Sequence, residues 1–415
     1  MDNLHLKTPK GFQDSSPSEY KYNVVSDYFK HMESYYAFPV NLSPLSLAET
    51  FLKENPQAKE WVYQFKDKSN RDLVLNPDSL PAVIRLYSNK FHNTSERFSF
   101  CTPVFRYKRT RMRYYHHLGA TFINETASHY INFILLDSMC RFLSKYRIDF
   151  KIKINHLGFW RDVFEYFGIT TGEINNILIN TRSMDIDDRI LFISKIKDNK
   201  DLIALLEDIH EIGQVRNYND LSELKQRLPD NIQTKLFDIN KFCNYFSELN
   251  GYNYSIDLSD FHGAAFHDDI SYQILNTENK VLGDGGGYHQ LAYNLNDKLK
   301  TVYSIVVRME DFISLANIDF RTNENAIFFQ IGTDVCADNI LFINEIRKLN
   351  FSVSEKFSSQ SFSKSIASAL KSGFKFYAYI GSEEVHKKEF KIKNLQSKES
   401  YTIKFENIFE LTKLL

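Results

Sequence analysis

The stretch from Phe105 to Gly119, FRYKRTRMRYYHHLG, sets five cations within eight residues, Arg106 to Arg113, between two apolar-aromatic runs. Side chains of a strand alternate between faces, so the pattern reads as strand, turn, strand. Arg106 and Lys108 aim one way on the outgoing limb, and Arg111, Arg113, Tyr115 and His117 share one face on the return. The adjoining His116 and His117 must then face opposite ways and cannot line one pocket together. Guanidinium groups on neighbouring strands are permanently charged bidentate donors, suited to a polyphosphate and to the α-phosphate of an ATP-dependent acyl-activating site. The same segment also suits a solvated basic hairpin or a surface that meets nucleic acid by charge alone.

A chain of 415 residues exceeds one ordinary domain, and two or three domains with a sizeable core are expected. Net charge is −1, so no protein-wide field draws in nucleic acid, and any such contact must come from a local patch. No apolar run approaches the length of a membrane span, and the opening MDNLHLKTPKG lacks the apolar segment of a secretory signal, which makes a cytoplasmic location without a membrane partner the default expectation. The four cysteines, Cys101, Cys140, Cys243 and Cys336, form no close pair, arguing against a zinc site or a disulfide framework. His262, His267, Asp268 and Asp269 are ligand types for a metal, but no paired histidines at helical spacing accompany them, and no metal is expected.

Along the chain, Glu19 to Tyr36 has helical periodicity, Val62 to Phe65 and Asp72 to Leu75 read as a hairpin, and a helix opens at Asp78 or Ser79 with Pro81 in its first turn. A long amphipathic helix follows over Ser128 to Tyr146, then an alternating strand over Phe150 to Gly158. From about 159 to 250 the text is charged, poor in glycine and helical, an insertion. Strand-like text resumes at Tyr254 to Ser259 and Ile270 to Ile274, followed by the glycine cluster GDGGGYHQL and the apolar run TVYSIVVRMEDFISL. Gly285 to Gly287 could cradle a phosphate, or let strands approach closely. Beyond Arg321 strands alternate with single helices, the mark of a small α/β domain with a largely parallel sheet, whose 14 basic and 11 acidic residues make it mildly basic. The expected division is 1–320 and 321–415.

The order of these pieces resembles the histidyl-tRNA synthetases, a class II aminoacyl-tRNA synthetase family, over nearly the whole chain. KGFQD is similar to the family's opening Gly-x-x-Asp signature; YAFPVNLSPL resembles motif 1, which builds the family's dimer interface; LVLNPDSLPAVIRLY resembles the Leu-Arg-Pro-Asp/Glu-x-Thr segment that holds the substrate's amino group. FRYKRTRMRYYHHLG resembles motif 2, GDGGGYHQLAY resembles the Gly-Gly-Arg-Tyr-Asp segment, and the ending FKFYAYIGSEEVHKKEFKIKNLQSKES is similar to the anticodon-binding domain. The resemblance implies an α+β fold: an antiparallel catalytic core with a helical insertion, then an α/β anticodon-binding-like domain. It also implies a homodimer, tRNA or another RNA as partner of the C-terminal domain, and ATP with Mg²⁺ as cofactors if the site is active.

Carried onto this sequence, the resemblance assigns Arg106 to the α-phosphate and Arg113 to the second arginine of motif 2, with Lys108 and Arg111 between them toward the nucleotide. Asp78, Tyr288, Gly285 and Gly286 fall at substrate-binding positions. Other positions depart from the family pattern. His117 stands at a glutamine and Thr121 at a glutamate, both of which help to hold histidine in the family. HGAAFHDD replaces Arg-Gly-Leu-Asp-Tyr-Tyr-Thr-Gly, putting His262 at the catalytic arginine and Ala265, Phe266 and His267 where Asp-Tyr-Tyr reads the imidazole. VVRMEDF aligns with motif 3 so that Asp311 falls at the ATP-binding arginine, with Arg308 three residues earlier as the cation that could replace it. A carboxylate in place of a guanidinium beside a triphosphate is worth about 4 kcal/mol per charge pair at 4 Å and an effective dielectric near 20, which weakens activation by ~10³.

The expectation is therefore a paralogue that keeps the fold and gives up ordinary histidine charging, serving as a regulatory or accessory protein that binds a nucleotide or another small molecule. The regulatory subunit of ATP phosphoribosyltransferase is the precedent within the family. The alternative is an active class II ligase that adenylates histidine or another carboxylate and passes it to tRNA or an amine.

Overall fold

The computed structural model describes residues 9–12, 19–52, 56–91, 94–107, 112–126, 129–181, 184–216, 218–226, 228–249, 252–261, 266–316, 325–332, 340–349, 351–357 and 360–414. By internal contacts the chain divides into two compact units, Met1–Asn317 and Ile318–Leu415.

The first unit is organised by a nine-stranded sheet. Its strands in chain order are β1 (Phe38–Pro39), β5 (Glu96–Phe105), β6 (Tyr114–Ile123), β7 (Phe150–His156), β8 (Gln214–Val215), β9 (Tyr254–Asp257), β10 (Ile270–Asn276), β11 (Val281–Gly287) and β12 (Val302–Arg308). A small separate sheet holds β2 (Leu45–Leu47), β3 (Tyr63–Lys66) and β4 (Asp72–Leu75). In space the large sheet runs β1-β5-β6-β12-β11-β10-β7-β9-β8, antiparallel except where β1 meets β5 and β7 meets β9.

Alternation along β6 decides what each face holds. Leu118, Ala120 and Phe122 are buried against the helices α1 (Glu19–Glu33) and α4 (His129–Lys145), as are Tyr303, Ile305 and Val307 of β12. Aromatic rings dominate this layer, with Phe142 of α4 edge-on to Tyr28 of α1 at 5.1 Å. The opposite face receives α3 (Leu80–Lys90) and α11 (His289–Leu295) near one end, through Val83, Tyr87, Phe98, Phe100 and Ala292.

Among the described residues, six α-helices lie between β7 and β9: Leu157–Tyr166, Thr171–Asn180, Ile186–Ile196, Lys200–Ile212, Ser222–Gln226 and Asp230–Leu249. Their starts are locally encoded, as in the capping box of Thr170 with Glu173 and the Asp185 and Asn199 side chains that accept the first free N–H groups. This region shares the main core: Phe242 is fully buried and stacks on Tyr272 of β10 at 6.1 Å.

Two segments differ from the sequence expectation for clear reasons. The strand from Phe150 ends at His156, because Leu157 already opens a helix. Ser79 stands before α3, yet its hydroxyl makes no capping bond; it pairs with a histidine on the sheet instead, and Asp78 accepts the Leu80 N–H at 3.2 Å.

The second unit has a five-stranded sheet of Ala326–Ile331, Ser352–Phe357, Phe376–Ile380, Glu389–Asn394 and Ser400–Lys404. The first three strands are parallel to one another and the last two add as an antiparallel hairpin, so the sheet is mixed. The interior strand Ala326–Ile331, which lies between Ser352–Phe357 and Phe376–Ile380, is buried at every position, as a strand covered on both faces must be. Helices Ile340–Lys348, Phe362–Lys371 and Ser382–Lys387 accompany these strands. Among the described residues no helix is long and apolar enough to cross a membrane.

Candidate functional site

The face of the large sheet away from α1 and α4 brings together several of the residues that the sequence assigned to a site. Tyr115, His117, Gly119 and Thr121 point there from β6, and register places Arg308 across from His117, Val306 across from Gly119 and Ser304 across from Thr121. One strand further, Asp284 lies across from Val306 and Gly286 across from Ser304. The segment leading into α3 meets the same face. Arg106 donates through Nε to the Pro77 carbonyl at 2.7 Å and through Nη2 to Asp78 Oδ2 at 2.8 Å. Ser79 Oγ lies 3.1 Å from His117 Nδ1. Arg308, the last residue of β12, pairs with Asp311 at 3.0 Å, and its guanidinium lies 5.6 Å from the Tyr115 ring centre.

Burial governs the titration of this pocket. His117 is buried and its pKa is pushed down to about 4, with Arg106 and Arg308 adding to the effect, so its imidazole is neutral at physiological pH. Tyr115 is raised by burial, with Asp78 and Asp284 supporting that shift and the two arginines opposing it. Burial works against the Arg106 charge, but Tyr115, Asp78 and Asp284 outweigh it and raise its pKa. Tyr288 is raised well above the ordinary tyrosine value by burial, then by Asp284 and Asp78. These mutual influences mark Arg106, Asp78, Tyr115, Asp284 and Tyr288 as one electrostatic neighbourhood.

Thr121 is fully buried and its hydroxyl lies 2.8 Å from the Ser304 hydroxyl, a neutral pair. His116 faces the other side of β6, as alternation requires, and meets Glu310 at 2.8 Å. The backbone N–H of Arg113 donates to the Gly11 carbonyl at 2.8 Å, and its guanidinium lies over the Tyr107 ring at 4.1 Å.

The segment after Phe266 is built into the wall. His267 is buried, its ring 4.1 Å from that of Tyr288 and its Nδ1 3.3 Å from the Gly287 carbonyl. Asp268 accepts the backbone N–H groups of His289 and Gln290 at the start of α11. Asp269 stands between His289, at 3.3 Å, and the fully buried His156, at 3.6 Å. Hydrogen bonding and the two histidines hold Asp269 well below the usual carboxylate range against the opposing effect of burial, while burial pushes His156 down to about 4. Phe266 is half-buried in the preceding turn.

The glycines serve strand packing. A side chain on Gly285 would strike the Ser304 carbonyl and the Tyr272 ring on the helix-covered face, and one on Gly286, at φ +144°, would meet the Ile270 carbonyl at 2.5 Å and His267 at 3.0 Å. Lys108, Arg111, His262 and Ala265 lie outside the described residues. Among the described residues no three His, Cys, Asp or Glu side chains are grouped to hold a metal. Asp284 and Ser304 were not singled out in the sequence, and Ser79 was read there only as the opening of a helix. Asp284 was hidden inside GDGGG, where the glycines suggest a turn, although its parity with Gly286 along a strand could have assigned its face.

The family model for histidyl-tRNA synthetase matches residues 11–302, and the model for the anticodon binding domain matches residues 342–413. The chain belongs to the histidyl-tRNA synthetase family. A histidine–tRNA ligase of Saccharolobus islandicus is 23% identical over 409 residues, covering 95% of each chain. The crystal structure of histidyl-tRNA synthetase from a Nostoc species superposes with a TM-score of 0.78 at 17% identity, covering 99% of each chain. A Bacillus halodurans protein described as an ATP phosphoribosyltransferase regulatory subunit/histidyl-tRNA synthetase gives a TM-score of 0.77 at 14% identity, covering 92% of this chain and all of the other. The fold is thus the mixed α+β architecture of the histidyl-tRNA synthetases, with an antiparallel sheet core and a C-terminal anticodon-binding domain.

Proposed function

We propose that this member of the histidyl-tRNA synthetase family binds a small molecule or nucleotide in the pocket over β6, β12 and β11 and does not charge tRNA with histidine, acting as a regulatory or accessory protein. The observation that carries the reading is the pairing of the pocket's cations. Arg106 is matched by Asp78 at 2.8 Å and Arg308 by Asp311 at 3.0 Å, with Asp284 on the same face. A triphosphate approaching Arg106 and Arg308 meets the carboxylates of Asp78 and Asp311 beside them, so these two guanidiniums do not fit it as an unpaired cationic clamp would. The neutral Thr121–Ser304 pair and the uncharged His117 support the same reading, since both positions help to hold histidine in the family by resemblance.

A second reading rests on Arg106 and on the matched anticodon-binding domain: an active class II ligase that adenylates histidine or another carboxylate and transfers it to tRNA or an amine, with ATP and Mg²⁺. Pyrophosphate exchange with ATP across a panel of amino acids separates the two. The first reading expects no exchange with any of them. Robust histidine-dependent exchange overturns it, and exchange with another acid establishes the ligase. A homodimer built through the Tyr36–Pro44 segment, and an RNA contact through the C-terminal unit, belong to both readings.

A further inference from the structure

The small sheet of β2, β4 and β3 has two unlike faces. Register sets Leu47, Leu73 and Phe65 in one row across its strands, and Leu45, Leu75 and Tyr63 in the next. Because side chains alternate along a strand, all of these apolar residues stand on the same face. The other face is the packed one. Val74 is fully buried there with Ala48, Phe51 and Ala58, and the buried Ser46 hydroxyl donates to Asn76 Oδ1 at 2.6 Å. The apolar face is covered at the end where Tyr63 meets the rings of Phe12 at 5.9 Å and Tyr107 at 5.8 Å. At the opposite end Leu47 is 49% and Phe65 43% exposed, with Leu73 half-buried between them. Single exposed apolar residues are ordinary, but a row of them across a sheet marks a place where another surface docks.

We propose that this face is a self-association surface, and that its occupant is the same face of a second copy of this chain. Two observations select that occupant. The chain runs directly into β2 from the Tyr36–Pro44 segment, whose Tyr36 and Phe38 are also exposed, so the apolar surface continues the one assigned to the homodimer. The rim at the β3–β4 turn carries both signs: Lys66 lies opposite Asp72 in register, and Arg71 pairs with Asp67 at 2.7 Å. A patch that meets itself about a two-fold axis sets like against like, so a rim of one sign would repel its copy, whereas a mixed rim lets each cation face a carboxylate. The inference rests on the homodimer reading and extends it from an extended segment onto a folded sheet. It also bears on the pocket, because β4 continues through Asn76 to Pro77 and Asp78, the two residues that hold Arg106.

Sedimentation equilibrium of the full-length protein reads the dimer dissociation constant for the wild type, Leu47→Lys and Phe65→Lys. Leu191→Lys serves as the control, since that side chain is 54% exposed on the inserted helix Ile186–Ile196. Leu47→Lys and Phe65→Lys should each raise the constant by roughly tenfold or more, with circular dichroism like that of the wild type, and Leu191→Lys should leave it unchanged. An unchanged constant for either folded variant, or an equal rise for the control, overturns the assignment. Phe38→Asp judges the underlying reading separately. A dimer broken by Phe38→Asp but not by Leu47→Lys or Phe65→Lys keeps the homodimer and removes this face from it, while a wild type monomeric at micromolar concentration removes both.

Discussion

Replacing His117 by glutamine should make the first unit more resistant to acid. The imidazole is buried beneath Ser79 and its pKa falls from the ordinary 6.5 to about 4, chiefly through burial. Between those values the unfolded chain holds a proton that the folded chain refuses, so stability declines as the pH falls through this window. Each pH step costs about 1.4 kcal/mol, and the descent from pH 7 to pH 5 costs about 2 kcal/mol from this residue. His156, fully buried and also pushed to about 4, contributes a similar loss, which the variant retains. The raised pKa of His289 acts the other way, giving stability present below 6.5 and lost at higher pH, and it is common to both proteins. Glutamine can still exchange a hydrogen bond with the Ser79 hydroxyl and has no proton to gain. The protein's two tryptophans, Trp61 and Trp160, both lie in the first unit, so urea denaturation followed by tryptophan fluorescence reports that unit alone. The wild type should lose about 2 kcal/mol more than His117→Gln between pH 7 and pH 5. Parallel losses in the two proteins would refute the claim that His117 is held neutral by burial.

Other substitutions probe the remaining links. Arg106→Ala removes the guanidinium that bonds both Pro77 and Asp78, and it should abolish whatever thermal stabilisation ATP or another pocket ligand gives; an unchanged shift moves the site elsewhere. Phe242→Ala should cost ~3–5 kcal/mol by the same urea assay, because the ring is fully buried and joins the inserted helices to the sheet through Tyr272; a loss below 1 kcal/mol would show the insertion to be energetically separate. Tyr36 and Phe38 are 73% and 47% exposed and meet edge to face at 4.8 Å in the segment that resembles the family's dimer motif. Phe38→Asp should therefore turn a dimer into a monomer in sedimentation equilibrium, and a wild type already monomeric at micromolar concentration contradicts the proposed homodimer.

Much of the fold was legible because its signals are local. The alternation of Tyr114 to Ile123 separates a core face from a pocket face, and it correctly sends His116 and His117 to opposite sides. The helix start before Leu80 and the strand-helix succession of the C-terminal unit follow from capping residues, proline placement and periodicity. The site was harder to read because its decisive contacts are distant in the chain. Thr121 meets Ser304 across 183 residues, and that encounter exists only because β12 inserts between β6 and β11. Ser79 looked like a helix cap, but the tertiary structure brings a neutral imidazole within reach of its hydroxyl.

Sequence alone determined which side chains share a face, since the two-residue period of a strand and the 3.6-residue period of a helix are backbone properties. It also sets five cations within the eight residues from Arg106 to Arg113. The tertiary structure decided the surroundings of the described ones, because a charge acts on its neighbours in space. Among the described residues the fold carries Asp78 to Arg106 and Asp311 to Arg308 and puts Asp284 on the same face, so that carboxylates accompany these two guanidiniums.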